Sequence, residues 1–391
     1  MITIRRQLLG LGFVAASSLV AMHAAHALTG PTAITIDGGP LGSLSLSGGA
    51  AGYAYGVTDT NSSQQTVGAN ISSALIQLQK TSGVLQFNIE VGSTSGLTLG
   101  APSYDGRGHI NGTSINNYAT GALFLGSITV APPNSPVTVT AGHIGSLEGY
   151  EATVDWYNPS QLNTDIWYVQ NSNATGVQAN ITEGPVTAEV QFGDGFDTGV
   201  WNFAQALVTY TIDANNVVNV YGAANLGRTG LNAHTYGGST VGSFGTNYIN
   251  SDMIGGYYSF TAGNLNVIPE VQYVFAKVDH QVGIDKSTSN LGAAVFGTYA
   301  FANTPYSIGG WVEYEKSSGS QYTWFVGPNS EAVGLAVSPT WQYKDLFARA
   351  NAGALYLLNN SASGPGTSYG YGDSGTGKFQ FTGTLEAGLL F

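Results

Sequence analysis

The segment KFQFTGTLEAGLLF, residues 378–391, decides the fold. Every second residue back from its end gives Phe391, Leu389, Ala387, Leu385, Gly383, Phe381 and Phe379, and between them lie Leu390, Gly388, Glu386, Thr384, Thr382, Gln380 and Lys378. One face is apolar and the other mostly polar. A period of two marks a strand, because successive side chains point to opposite faces. The run exceeds the roughly five or six residues of an ordinary globular strand. It is long enough to cross a membrane obliquely.

The same alternation recurs through residues 42–391 in about sixteen segments, at roughly 22 residues per strand and connection. Val333, Leu335, Val337, Pro339, Trp341 and Tyr343 share one face. Leu85, Phe87, Ile89 and Val91 oppose Gln86, Asn88 and Glu90, and Val186, Ala188, Val190 and Phe192 oppose Thr187, Glu189 and Gln191. Such faces could pack together in a sandwich or face lipid, and the connections decide between these. Short ones at 80–83, 132–136, 183–185, 213–216, 262–264, 303–305 and 344–345 alternate with long Gly, Ser and Asn-rich stretches such as 92–118, 145–174, 227–247, 317–329 and 359–376. That asymmetry is the one expected of an outer-membrane barrel, with short periplasmic turns and long external loops. Tyr306 and Tyr314 bracket Ile308, Gly310 and Val312 on one face. At about 3.3 Å per residue they lie roughly 26 Å apart, the height of the apolar band between two aromatic girdles.

Composition supports a membrane barrel. Charged residues are only 9% of the 391, while glycines number 55 and tyrosines 22; a soluble domain carries about 25% charge. Cysteine is absent, which excludes disulfides and thiolate metal sites. Residues 1–27 combine Arg5 and Arg6, an apolar stretch and the triplet Ala25, His26 and Ala27, the pattern of a cleaved signal peptide. A single barrel domain, 28–391, is expected to follow, with 28–41 as an extended lead-in. Without the two signal arginines, 9 basic residues stand against 23 acidic ones, a net charge of −14. An acidic balance of that size argues against nucleic acid as a partner. After the signal no run of about eighteen apolar residues occurs, so any crossing of the bilayer must use a closed barrel.

Phe391 on its alternating strand resembles the C-terminal recognition signal of Gram-negative outer-membrane proteins, which the barrel-assembly machinery reads. The resemblance implies that machinery and outer-membrane lipid as partners, and the outer membrane as the location. A second resemblance lies in VTVTAGHIGSLEGYEATVDWYNPSQ (137–161), NATGVQANI (173–181) and FGDGFDT (192–198). Gly142, the run Glu148 to Glu151, Asn158-Pro159-Ser160, Gly176-Val177 and Gly195-Phe196-Asp197 look like the β-barrel porins called OmpL-like. Phe196 stands where that family usually has tryptophan. The expected fold is therefore all-β, a transmembrane antiparallel up-and-down barrel of about sixteen strands with an inward-folded third loop. A homotrimer and a monomer both remain open.

In general porins the third long loop narrows the pore. Here it carries Glu148, Glu151, Asp155 and Asp165 with no Lys, Arg or His, beside Tyr150, Trp156, Tyr157, Trp167 and Tyr168. Acids at a constriction favour cations; the competing use of these four is to bond loop backbone. The aromatics are expected to pin the loop to the wall. On the wall, Glu90, Glu189, Glu270, Glu313, Glu315 and Glu386 point inward by parity, against Arg349 and Lys378, which could instead neutralise neighbouring glutamates. The expected function is passive diffusion of small hydrophilic solutes and ions through a mildly cation-preferring, water-filled pore that needs no cofactor. A barrel acting by binding or adhesion through its long loops is the alternative. Catalysis is not expected: His109, His143, His234 and His280 are scattered, and no catalytic or metal-binding spacing occurs.

Overall fold

The computed structural model describes residues 28–60, 65–94, 97–100, 123–230, 246–319, 329–360 and 370–391. The expected signal peptide, His109, His234 and much of the long connections lie outside these residues. Sixteen long strands run in chain order: β1 (Ser43–Val57), β2 (Val67–Lys80), β3 (Leu85–Thr94), β4 (Leu123–Val130), β5 (Val137–Gly145), β6 (Asn173–Glu183), β7 (Val186–Asp194) and β8 (Trp201–Asp213) form the first half. The second half is β9 (Asn216–Asn225), β10 (Ser251–Ala262), β11 (Leu265–Ala276), β12 (Thr288–Ala300), β13 (Tyr306–Ser318), β14 (Ser330–Tyr343), β15 (Leu346–Asn360) and β16 (Phe379–Leu390). Each pairs antiparallel with its chain neighbours, and β16 returns to pair with β1 from Thr382↔Val57 to Leu390↔Gly49. Phe391 extends the seam: its N–H donates to the Gly48 carbonyl at 2.9 Å, and the Gly48 N–H donates to its carbonyl at 2.8 Å. The sheet has no free edge, so every strand can satisfy its backbone within lipid.

The alternation of the sequence becomes an inside-out distribution of polarity. On β16, Leu385 is 68% exposed on the outer surface while its neighbour Glu386 is 2% exposed on the lumen side. Outward aromatics gather in two belts, with Tyr210, Phe260, Tyr299, Tyr306 and Tyr343 near the short turns and Trp201, Tyr273, Tyr356 and Phe379 near the long loops. Amphipathic rings belong at the two lipid–water boundaries. No helix among the described residues is long and apolar enough to cross a membrane.

The lead-in is partly ordered by pairing. Ile34–Asp37 adds a short antiparallel strand beside β1. Ahead of it, Leu28 is buried in a cluster with Trp156 and Leu390, and Thr29 exchanges two hydrogen bonds with the Gln342 side chain.

Candidate functional site

The connection between β5 and β6, residues 146–172 and here called L3, folds into the lumen. Local chemistry shapes it. The Thr164 hydroxyl accepts from the Trp167 N–H and so caps a single helical turn, α1 (Asp165–Tyr168), as N-terminal threonines do. Leu162–Asn163 of L3 pairs in parallel with Leu97–Thr98 of the connection after β3. Leu97, Leu99, Leu162 and Ile166 then pack with Phe296, Trp311 and Leu355 of the wall. One side of the lumen is thus filled by an apolar core.

Polar wall residues hold L3 from many directions. Gln205 on β8 accepts from Ser146 Oγ and the Leu147 N–H, at 2.8 and 2.9 Å. Gln272 on β11 donates to the Ile166 carbonyl, and Trp311 on β13 donates from its indole to the Leu162 carbonyl. Asn351 on β15 accepts from the Gln161 N–H and donates to Thr384 on β16. The middle of the loop is fixed by Arg349, whose Nε and Nη2 both reach Glu386 Oε2, at 2.9 and 2.8 Å, while Nη1 donates to the Asn158 carbonyl. Asp155 Oδ2 lies 3.7 Å from the same guanidinium. One positive charge therefore serves two carboxylates, all in the interior.

Ser72 and Ser73 complete that cluster and were not singled out by sequence reasoning. Their hydroxyls donate to Glu386 Oε1 at 2.8 Å and to Asp155 Oδ1 at 2.7 Å. Strict alternation would turn one of the pair outward. A bulge in β2, where Ala51 pairs with Ser73 and Gly52 with Ile71, leaves Ser72 as the extra residue, and both serines are fully buried. Bulges re-aim side chains in this way; the break in polar and apolar alternation at NISSAL was the available signal.

The four loop acids are thus brought inside the barrel in two pairs with different surroundings. Asp155 joins Arg349 and Asp165 lies against Glu313, which accepts from the Asp165 N–H at 2.8 Å. Glu148 accepts from the Asn171 N–H at 2.7 Å, and Glu151 accepts from the N–H and hydroxyl of Thr164. Burial raises all four carboxyls. Glu148 is pushed up to about 8, and Glu151 well above its usual value, with Glu313 and Glu270 adding to the effect. At Asp155, burial and then the Glu386 charge outweigh Arg349; at Asp165, burial is reinforced by Glu313 and Glu315. Glu315 and Glu386 face inward as parity required and are buried. Lys378 stands apart, because β16 begins one residue later: it is exposed, and its Nζ donates to the Leu358 carbonyl.

Between L3 and the short-turn end lies a cavity of about 180 Å³, lined by Glu90, Glu148 and Glu151 but not by Asp155 or Asp165. Its wall side chains Gln77, Asn88, Asn219, Ser259 and Asn266 sit close to the short turns of their strands. Among the described residues, no Lys, Arg or His lines it.

A closed sixteen-stranded barrel, apolar outside and polar inside with its third long loop in the lumen, defines the porin class. The sequence matches the family described as "Putative beta-barrel porin-2, OmpL-like" over residues 44–391. The chain belongs to that family. In fold it is similar to an anion-selective porin from Comamonas acidovorans (TM-score 0.56, 12% identity, covering 89% of this chain and 99% of that one). It is likewise similar to the outer membrane channel DcaP of Acinetobacter baumannii (TM-score 0.56, 10% identity, 89% and 97%) and to Salmonella typhi OmpF in complex with daunomycin (TM-score 0.53, 14% identity, 92% and 100%). No curated protein matches the sequence.

Proposed function

We infer that this porin admits small hydrophilic solutes and ions by passive diffusion, with a mild preference for cations. The observation that carries the reading is the lumen's charge. Among the described residues, Glu90, Glu148 and Glu151 line the cavity without a basic side chain beside them, while the buried guanidinium of Arg349 is matched by Glu386 and Asp155. Acidic walls concentrate cations and repel anions. The preference is mild because burial keeps much of the Glu148 population neutral near pH 7. Glu148 and Glu151 are proposed to set charge preference, and Asp155 and Asp165 to hold the loop that limits size.

The reading carries with it an outer-membrane location in a Gram-negative bacterium, insertion by the barrel-assembly machinery through the strand ending at Phe391, and assembly as a monomer or homotrimer. It is tested by conductance and reversal potential of the purified protein in a planar bilayer under a KCl gradient, repeated with Glu148→Gln, Glu151→Gln, Asp155→Asn and Asp165→Asn. Open channels whose cation preference falls in the glutamate variants support it. A folded barrel that conducts nothing defeats it.

A further inference from the structure

The cavity beneath L3 has more chemistry than a size filter needs. Five buried polar atoms of its lining side chains have no hydrogen-bond partner among the described residues: the acceptors Asn88 Oδ1 and Glu148 Oε1, the donors Asn171 Nδ2 and Asn173 Nδ2, and the Ser259 hydroxyl. The Asn171 amide is oriented by its own contact, since its Oδ1 accepts from the Phe196 N–H at 2.8 Å, which directs its donor elsewhere. Buried donors and acceptors left without partners are costly, and a ligand that matches them recovers that loss. Half-buried aromatics share the lining. Tyr150, whose ring lies 5.8 Å from that of Tyr257 and 4.9 Å from that of Phe296, is held in place by both, and Trp167 comes from α1.

We propose that this cavity is a binding site for a neutral saccharide of about one or two rings, taken up on its way through the pore. A sugar hydroxyl both donates and accepts, which suits a lining that presents both kinds of unpartnered atom, and the apolar face of a pyranose ring suits an aromatic surface. An anionic solute meets no counter-charge among the described residues, whose lining side chains include no Lys, Arg or His. A cationic amine is attracted by Glu90, Glu148 and Glu151 but can only donate, so it leaves the Asn171 and Asn173 donors unmatched where a hydroxyl would accept from them. The site deepens the porin reading and rests on it for the route by which the sugar arrives.

The test is calorimetric titration of the detergent-folded barrel with maltose, glucosamine and glucose 6-phosphate, with channel conductance in KCl measured on the same preparation. Maltose is expected to bind in the millimolar range, with glucose 6-phosphate and glucosamine weaker. Asn173→Ala and Trp167→Leu, each checked for a heat-modifiable folded band, should each weaken maltose by about tenfold, the equivalent of one hydrogen bond or ring contact. No maltose binding, or tighter binding of glucosamine or the phosphate, overturns the proposal. Conducting channels without sugar binding reject the site alone, whereas sugar binding to a barrel that never conducts rejects passive diffusion alone.

Discussion

Arg349 and Glu386 face each other across the β15–β16 pair, and two guanidinium nitrogens of Arg349 reach the same carboxylate oxygen at 2.9 and 2.8 Å. Neither side chain touches solvent. Removing one member of a buried pair leaves an uncompensated charge, at a cost of roughly 3–5 kcal/mol. Here it also frees the Asn158 and Asp155 carbonyls of L3. Arg349→Met should lower the temperature at which the folded band converts on semi-native gels and increase open-channel current noise as L3 loosens. An unchanged transition and quiet channels would show that the pair does not hold the loop.

The pH response follows from Glu148, whose pKa rises from about 4.5 to about 8 through burial. Folding favours its neutral form. Its stabilisation is therefore complete below about pH 4.5 and lost as pH climbs through about 8, because the unfolded chain binds fewer protons over that window. Ionisation also adds negative charge to the cavity. Cation preference should rise between pH 6 and 9, and Glu148→Gln should remove most of the rise. A reversal potential independent of pH in the parent protein would contradict this.

The outer face makes a third prediction. Leu385 lies near the middle of β16, pointing away from the lumen, where a charged side chain costs about 2–4 kcal/mol in lipid. Leu385→Arg should lower the urea midpoint of the barrel refolded in lipid vesicles by a corresponding amount. A neutral effect would mean that this face does not contact the hydrocarbon.

Gly142, three residues from the end of β5, has φ +141, and a Cβ built there would stand 2.2 Å from the Gly126 carbonyl oxygen. The backbone conformation and the close strand each exclude a side chain. Gly142→Ala is expected to reduce refolding yield and cost at least roughly 1–3 kcal/mol, the typical penalty of such strain. Equal yield and midpoint would show that the strand relaxes.

The sequence made the strands, the seven short turns and the inward face of Glu313, Glu315 and Arg349 legible, because a period of two sorts side chains by face irrespective of distant partners. It did not reveal the partners. Whether Glu151 lines open space or binds Thr164 depends on the path of L3, which has no period to read. The reading that loop acids bond loop backbone describes Glu148 and Glu151 at one carboxyl edge, while both residues also border the cavity. The paired serines stayed hidden for a related reason: a bulge breaks the rule from which inward positions are counted.

The tether of L3 draws on residues far apart in sequence. Ser72 and Ser73 come from β2, Arg349 and Glu386 from β15 and β16, and these strands meet only through the seam between β16 and β1. The loop's final seat is consequently unavailable to an open sheet, however complete its individual hairpins. Sealing the barrel and seating the loop are thereby one event at Asp155, whose carboxylate meets Ser73 from one side of the seam and Arg349 from the other.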